Sequence, residues 1–250
     1  MSALFALGRF EVGRLLRSWK FLAITVGFPV LFYMLLLGDR PRTELVYGGV
    51  QWREYLMVSM SSFGALVAAL NAGGSRLSME RAGGWARQLR VTPIPAWSYV
   101  AVKMSSAMLV VLPVVALVEL VAGTFGGVQL PAGTWVGLTV LLWVTAMPFA
   151  ALGVLVGFSV NTEAVFPVVT GLMFVLAYFG GLFTPVGHMP GALQVAARLL
   201  PNFHHLSLGL DVLSGRTLAL THWMALGGYT VALAAAIMWR HHVEEARGVA

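Results

Sequence analysis

Residues 135–160 read WVGLTVLLWVTAMPFAALGVLVGFSV and contain no charged side chain. A helix that crosses a bilayer needs about 20 consecutive apolar residues, so this stretch is long enough to span a membrane. Comparable apolar runs precede and follow it along the chain. We predict six transmembrane helices, at residues 21–37, 55–72, 99–125, 135–160, 164–183 and 218–239.

Proline occurs inside four of these runs. Proline has no N–H group, but neighbouring helices in a membrane can satisfy the carbonyl group that it leaves free. We therefore interpret these prolines as kinks rather than as helix ends: Pro29, Pro113, Pro148 and Pro167.

The overall composition agrees with a membrane protein and excludes several other classes. Of the 250 residues, 58% are hydrophobic and only 10% are charged, against about 25% charged residues in an average soluble domain. The absence of cysteine rules out disulfides, thiolate metal sites and cysteine nucleophiles. The net charge of +6 indicates loops that face anionic lipid, and we predict no binding of nucleic acid. The expected fold is an all-α polytopic membrane protein, with residues 1–250 forming a single transmembrane domain in the lipid bilayer.

The distribution of basic residues predicts the orientation of the spans, because cytoplasmic loops are enriched in Lys and Arg. One side holds Arg9, Arg14, Arg17, Lys20, Arg76, Arg81, Arg87, Arg90, Lys103, Arg240 and Arg247. The opposite side holds only Arg40, Arg42, Arg53, Arg198 and Arg216. We therefore expect a multi-pass protein with both termini in the cytoplasm, which agrees with an even number of spans.

Two segments outside the predicted spans are also apolar. In residues 3–20, leucine and phenylalanine alternate with arginine at helical spacing. This pattern predicts either an amphipathic helix in the cytoplasmic interface or a simple basic flank of the first span. Residues 186–217 hold two short apolar runs separated by Pro201-Asn202. Because each run is too short to span, we predict a re-entrant hairpin in the outer leaflet that packs against other spans or caps a cavity.

Residues 75–98 form the longest predicted cytoplasmic loop. This loop carries one acid, several arginines and two large apolar side chains, Trp85 and Leu89. A short helix predicted around residues 85–91 ends before Pro93, because proline disfavours helical geometry in the residue before it. A small charged helix held between two spans can act as a lever for another protein, or the loop can simply set topology. Composition alone leaves both interpretations open.

The loop resembles the one between spans two and three of type 2 ABC exporter permeases. The residues that carry this resemblance are Glu80-Arg81, Gly84, Leu89, Thr92-Pro93, Tyr99 and Lys103. A threonine commonly follows the glycine in that family, whereas this chain has Trp85. The resemblance extends to the start of the first span and to the fifth span and hairpin, through Phe28-Pro29-Val30, Gly180–Pro185, Met189-Pro190 and Leu200-Pro201. The chain looks most like daunorubicin-resistance-type permeases.

The resemblance implies the permease subunit of a bacterial ABC exporter in the plasma membrane. It implies a separate ATP-binding cassette ATPase subunit, which would bind ATP and Mg, and a second permease that is either an identical copy or a related paralogue. The implied substrate is amphipathic (a drug, an antibiotic or a lipid-like molecule), as in multidrug efflux and antibiotic resistance. The implied coupling helix would dock on the ATPase through Glu80, Arg81, Gly84, Trp85, Arg87, Leu89, Arg90, Thr92 and Pro93.

The sequence contains no pattern typical of an enzyme. Neither lysine, Lys20 or Lys103, completes a Gly-x-x-x-x-Gly-Lys-Ser/Thr phosphate loop, so any ATP hydrolysis must occur on another chain. The adjacent pairs His204-His205 and His241-His242 lack the spacing of a zinc site. We predict no catalytic residue, no metal site and no cofactor in this chain.

Several side chains within the spans are candidates for the substrate path. Glu119 in the third span is the most informative, because a carboxylate inside the membrane is costly. It can line the path, pair with Arg198 or a hairpin histidine, or reach water at the interface. The other candidates for the path are Asn71, Trp143, Phe149, Phe174 and Tyr178. Gly153-x-x-x-Gly157 permits close helix approach, within one subunit or between two.

The outer hairpin is predicted to act as a gate for the substrate. Its shape is expected to depend on Pro185, Met189, Pro190, Pro201 and Asn202. The alternative function is a secondary transporter or channel that acts without an ATPase. That alternative requires ion-coupling groups near the membrane midplane, for which Glu119 is the candidate. An intramembrane enzyme is a further alternative, and the sequence does not name the substrate.

Overall fold

The computed structural model of the chain describes residues 19–38, 41, 43–83 and 96–246. Most of the predicted interfacial helix 3–20 lies outside these residues. Residues 84–95 of the predicted coupling loop lie outside them as well. The predicted docking residues in that part are Gly84, Trp85, Arg87, Leu89, Arg90, Thr92 and Pro93.

The described chain consists almost entirely of helices, in agreement with the predicted all-α class. The α-helices are α1 Trp19–Leu36, α2 Trp52–Leu70, α3 Arg76–Ala82, α4 Ala96–Thr124, α5 Ala132–Thr145, α6 Met147–Ser159, α7 Thr162–Phe179, α8 Gly191–Arg198, α9 Pro201–Leu213 and α10 Leu220–Ala246. A π-helical turn, Asn71–Ser75, joins α2 to α3. A short 3-10 helix, Val186–His188, precedes α8.

Within the described residues, five helical stretches are long and apolar enough to cross a membrane. They are Trp52–Ala82, Val100–Thr124, Ala132–Ser159, Thr162–Phe179 and Leu220–Arg240. Each coincides with a predicted span, so the polytopic class is confirmed. The first predicted span corresponds to α1, whose apolar part, Thr25–Leu36, is shorter. The total of six spans therefore stays a prediction.

The prolines differ in their effect on the helices. Pro29, Pro113 and Pro167 lie inside α1, α4 and α7, as the sequence predicts. Before Pro148, in contrast, the helix is interrupted at Ala146, and residues 135–160 form two helices, α5 and α6. Pro148 has no N–H to donate to the carbonyl group four residues earlier, so an interruption at this point is favourable.

The second predicted span differs from the structure at its end. We expected it to end near residue 72, before Gly73-Gly74, whereas the helix continues through the π turn and α3 to Ala82. Both glycines are buried, and the backbone of α6 lies directly against Gly73. The two glycines therefore permit a helix contact and do not end the helix.

A small β-hairpin between α1 and α2 was not predicted. Strands β1, Leu45–Tyr47, and β2, Val50–Gln51, pair in antiparallel fashion. The turn between them consists of Gly48 and Gly49, with φ of 51° and 90°. Glycine is the residue that adopts such positive φ values without strain. The hairpin gives the loop a fixed shape next to the start of α2.

Helix α2 lies at the centre of the bundle and α10 at its periphery. In the stretch Trp52–Ala82, 89% of the most apolar window is buried, against 11% in Leu220–Arg240. The loops and short elements that connect the long helices lie at two ends of the bundle. We call the end with residue 83 and the α6–α7 turn the coupling end. We call the end with the β-hairpin, α8 and the start of α9 the hairpin end.

Candidate coupling site and outer hairpin

Helix α3 is packed into the bundle at the coupling end. Leu77 is only 1% exposed and belongs to an apolar cluster with side chains from three other helices. These are Val100 of α4, Val154 and Phe158 of α6, and Ile237 of α10. A displacement of α3 therefore acts directly on three other helices.

A buried ion pair joins the two sides of the predicted coupling loop. The Glu80 Oε2 atom of α3 lies 2.5 Å from the Lys103 Nζ atom of α4, and the two side chains are 10% and 6% exposed. Because both charges are withdrawn from water, each compensates the other. The pair fixes the residues that flank 84–95 to one another.

Arg81 and Ser78 attach α3 to the end of α6. The Arg81 guanidinium donates hydrogen bonds to the carbonyl oxygens of Gly157, at 3.1 Å, and Phe158, and lies 5.6 Å from the centre of the Phe158 ring. The Ser78 hydroxyl donates to the carbonyl oxygen of Val160 at 3.2 Å. The last carbonyl groups of a helix have no partner within it and attract positive charge. Arg81 therefore caps α6.

Glycines allow α6 to touch the backbones of the end of α2 and of the π turn. A Cβ atom on Gly153 would lie 2.7 Å from the carbonyl oxygen of Ala69, and one on Gly157 would lie 2.9 Å from that of Gly73. A Cβ atom on Gly73 would lie 2.8 Å from the backbone nitrogen of Val154. The Gly153-x-x-x-Gly157 pattern therefore makes a contact within the chain. We call α3, its partners Lys103, Gly157, Phe158 and Val160, and this glycine contact the α3 clamp.

At the hairpin end, neutral hydrogen bonds hold the segment that connects α7 to the hairpin. The Tyr55 hydroxyl donates to the carbonyl oxygen of Gly181 at 2.6 Å, and the Ser59 hydroxyl donates to that of Leu182. Asn202, fully buried at the start of α9, donates to the carbonyl oxygen of Leu176. Its amide occupies the space in which a side chain on residue 180 would lie, so this position requires glycine.

Helix α9 enters the bundle as far as the interruption between α5 and α6. His205 is fully buried, and its Nδ1 atom lies 2.8 Å from the Thr145 hydroxyl at the end of α5. The His205 ring also packs edge-on against Phe149 of α6, with 5.2 Å between the ring centres. Thr145 lies near the middle of the apolar stretch Ala132–Ser159. The short helix α9 thus reaches the middle of the long apolar stretch that α5 and α6 form.

Comparison with known proteins identifies the family. A family model described as "ABC-2 type transporter" matches residues 2–213. The chain belongs to the ABC-2 type transporter family. It is 26% identical over 209 residues, which cover 82% of this chain and 83% of the relative, to a Bacillus subtilis (strain 168) protein named "Putative transport permease YvfS". The resemblance inferred from the coupling loop is therefore confirmed, and the chain is a transport permease of this family.

The two described docking residues of this ABC-2 permease make contacts within the chain. Glu80 pairs with Lys103, and Arg81 caps α6. Docking on an ATPase stays a prediction for them and for the residues in 84–95. Sequence reasoning included Lys103 in the family pattern but did not predict its pairing with Glu80, and the contribution of Leu77 was missed. A Leu four residues after Gly73 on the same helical face was the available signal.

Glu119 is buried between two helices of the permease. It is 3% exposed, and its Oε2 atom accepts a hydrogen bond from the Thr139 hydroxyl of α5. Its Oε1 atom has no hydrogen-bond partner among the described residues. Of the alternatives for this residue, pairing with Arg198 or a hairpin histidine is not the contact found, since the partner is Thr139. Its burial also argues against a carboxylate that reaches water at the interface.

The structure does not bring the other path candidates together. Asn71 donates to the carbonyl oxygen of Val67 within its own helix, and the Trp143 indole donates to that of Met108 at 2.8 Å. Phe149 is fully buried against His205. The remaining two aromatic candidates are exposed on α7: Phe174 at 42% and Tyr178 at 55%. A role in a substrate path stays a prediction for all of them.

The hairpin residues that the sequence singled out lie at helix boundaries. Pro185, Pro190 and Pro201 precede or begin the 3-10 helix, α8 and α9, where proline costs no hydrogen bond. The Met189 carbonyl accepts from the Gln194 amide at 2.8 Å. His205 was missed as a buried residue, because a histidine in a short apolar run gives no signal for its depth. The hairpin thus has the expected two-helix form, and its position in a bilayer stays a prediction.

Proposed function

We propose that the chain is the permease subunit of an ATP-driven exporter in a bacterial plasma membrane, with both termini in the cytoplasm. Permeases of this family normally work with an ATPase subunit. That separate subunit would bind and hydrolyse ATP with Mg. Two permeases, identical or related, would enclose the path of an amphipathic substrate such as a drug, an antibiotic or a lipid-like molecule.

The α3 clamp is the observation that carries this proposal. A partner that pushed on residues 84–95 would act on two anchored ends, since the Glu80–Lys103 pair joins α3 to α4. Arg81 and the glycine contact pass the displacement on to α6. Because closely packed elements transmit strain, the force would reach the helices of the bundle rather than be absorbed in a flexible loop.

The hairpin is proposed to close the outer side of the path. Its helix α9 is in contact with α5 and α6 at their interruption, through His205 and Thr145. Irregular backbone at membrane depth is tolerated where protein surrounds it, and α9 is largely buried. A displacement of α6 by the α3 clamp would therefore also displace α9.

The test is purification of the tagged full chain from its own membranes in mild detergent, followed by mass spectrometry. We expect a stoichiometric subunit with a phosphate loop to co-purify with the wild type. Trp85→Ala should lose this subunit while membrane insertion stays intact. Trp223→Ala, the same substitution at the hairpin end, serves as the matched control and should retain it.

The opposite result would favour a transporter that acts without an ATPase. If the chain purifies alone under conditions that preserve complexes, and substrate movement depends on a proton or sodium gradient, the proposal is wrong. If export is normal in Trp85→Ala and the ATPase is still bound, the docking role proposed for residues 84–95 is wrong, while the proposed exporter function stands.

A further inference from the structure

Two histidine rings from different helices meet at the hairpin end. The Nδ1 atom of His204 on α9 lies 2.8 Å from the Nδ1 atom of His222 on α10. The ring centres are 5.1 Å apart, and Phe203 packs edge-on against both rings. His204 therefore links the hairpin to the peripheral last helix through a direct contact between two titratable groups.

A contact between two Nδ1 atoms requires that at least one of them lacks a proton. One ring donates its N–H to the lone pair of the other, so the pair is bonded when both rings are neutral and when one is charged. When both rings are protonated, both nitrogens are donors and two like charges face each other. The contact then changes from attractive to repulsive.

The charged groups that face the pair come from α9 and the turn after it. Asp211 on α9 interacts electrostatically with His222, and Arg216 in the following turn interacts with Asp211. The His204 ring also bonds to the backbone carbonyl of Arg198 at the end of α8. Burial and the neighbouring His222 ring lower the pKa of His204, so the second proton binds only in acid.

A second contact joins the hairpin to α10 without a histidine. The Tyr229 hydroxyl of α10 donates to the backbone carbonyl of Leu199, which lies in the turn between α8 and α9. Loss of the histidine contact would leave this bond in place. The hairpin would then pivot about Leu199 rather than detach from α10.

We propose that the His204–His222 contact is an acid-sensitive latch between the hairpin and the last helix. The contact holds α9 against α10 when both rings are neutral or when one of them is charged. It opens when both rings are charged. The contact lies within this chain, so the latch does not depend on which substrate the permease moves or on the ATPase.

The test is the distance between α8 and α10, measured with two spin labels in the full chain in lipid nanodiscs. The chain has no cysteine, so labels can be attached at Val195→Cys and Met224→Cys without further changes. Both positions are exposed, at 64% and 67%. We expect a longer distance to become populated at about pH 5 and to be absent at about pH 7.5.

Glutamine variants separate the latch from a general effect of acid. In His222→Gln the amide can donate to neutral His204 and accept from protonated His204, so the short distance should persist at both pH values. His204→Gln should behave in the same way and is the second variant if the first does not fold. His188→Gln, at an exposed histidine of the 3-10 helix, should keep the wild-type response. A distance that does not change with pH, or a change that persists in both glutamine variants, would overturn the proposal.

Discussion

The contacts that fix α3 at the coupling end differ from those that fix the connection between α7 and the hairpin at the other end. At the coupling end, the Glu80–Lys103 ion pair is buried and the Arg81 guanidinium is half-buried. At the hairpin end, Tyr55 and Asn202 make neutral hydrogen bonds to backbone carbonyls. A buried charge that loses its partner costs several kcal/mol, whereas a neutral hydrogen bond contributes about 1 kcal/mol. The coupling end is therefore suited to move as one unit, and the hairpin end to exchange its contacts one at a time.

The largest effect is expected from breaking the ion pair at one side. Glu80→Ala leaves the Lys103 ammonium buried without its carboxylate, which should lower the free energy of unfolding by about 3–5 kcal/mol. Unfolding in detergent micelles, followed by tryptophan fluorescence, measures this loss. The double variant Glu80→Ala, Lys103→Met should recover much of it, because the buried ammonium is then absent as well.

Glu163 supplies the matched control for this prediction. It lies exposed at the start of α7, close to the same end of the bundle. Glu163→Ala should change the free energy of unfolding by less than about 0.5 kcal/mol. If Glu80→Ala were as stable as Glu163→Ala, the pair would not hold the clamp together, and the contrast between the two ends would disappear.

An intermediate effect is expected from separating the backbones of α2 and α6. In Gly153→Ala the new Cβ atom meets the Ala69 carbonyl oxygen at 2.7 Å and the Leu70 Cα atom at 3.0 Å. Backbone atoms cannot rotate away, so we expect a loss of about 1–3 kcal/mol in the free energy of unfolding. Transport should fall with it, since the clamp loses its contact with α6.

Gly171 of α7 is the control for the glycine contact. A Cβ atom at this position has nothing within 4 Å, so Gly171→Ala should be neutral or slightly stabilising. Equal stability of Gly153→Ala and Gly171→Ala would show that the backbones of α2 and α6 are not in contact.

The two ends also differ in how far the sequence predicted them. The long apolar runs predicted the spans, because a membrane span is defined by its length and composition, and both can be read directly from the sequence. Gly73-Gly74 was misjudged, since glycine weakens a helix locally, and only the neighbouring α6 makes a small residue favourable there. The Glu80–Lys103 pair was not predicted, because the spacing of these two residues along the chain does not indicate that both side chains are buried in the bundle.

The hairpin end illustrates the same limit of local patterns. Pro201-Asn202 correctly indicated the break between two short helices, because proline restricts the backbone in its immediate surroundings. His205 and Asn202, in contrast, are polar residues in a short apolar run, and their burial depends on partners distant in the chain, Thr145 and Leu176. Boundaries could thus be predicted, while depth and partners could not.

The smallest effect is expected from one neutral bond of the hairpin end. Tyr55→Phe removes the hydroxyl that donates to the Gly181 carbonyl at 2.6 Å and keeps the ring, which stacks on Trp52 with 5.7 Å between the ring centres. We expect a loss of about 0.5–1.5 kcal/mol in the free energy of unfolding, measured as for Glu80→Ala. Tyr178→Phe, at an exposed tyrosine of α7, should change nothing. A loss in Tyr55→Phe as large as that in Glu80→Ala would contradict the difference between the ends, because the hairpin would then be held as rigidly as the clamp.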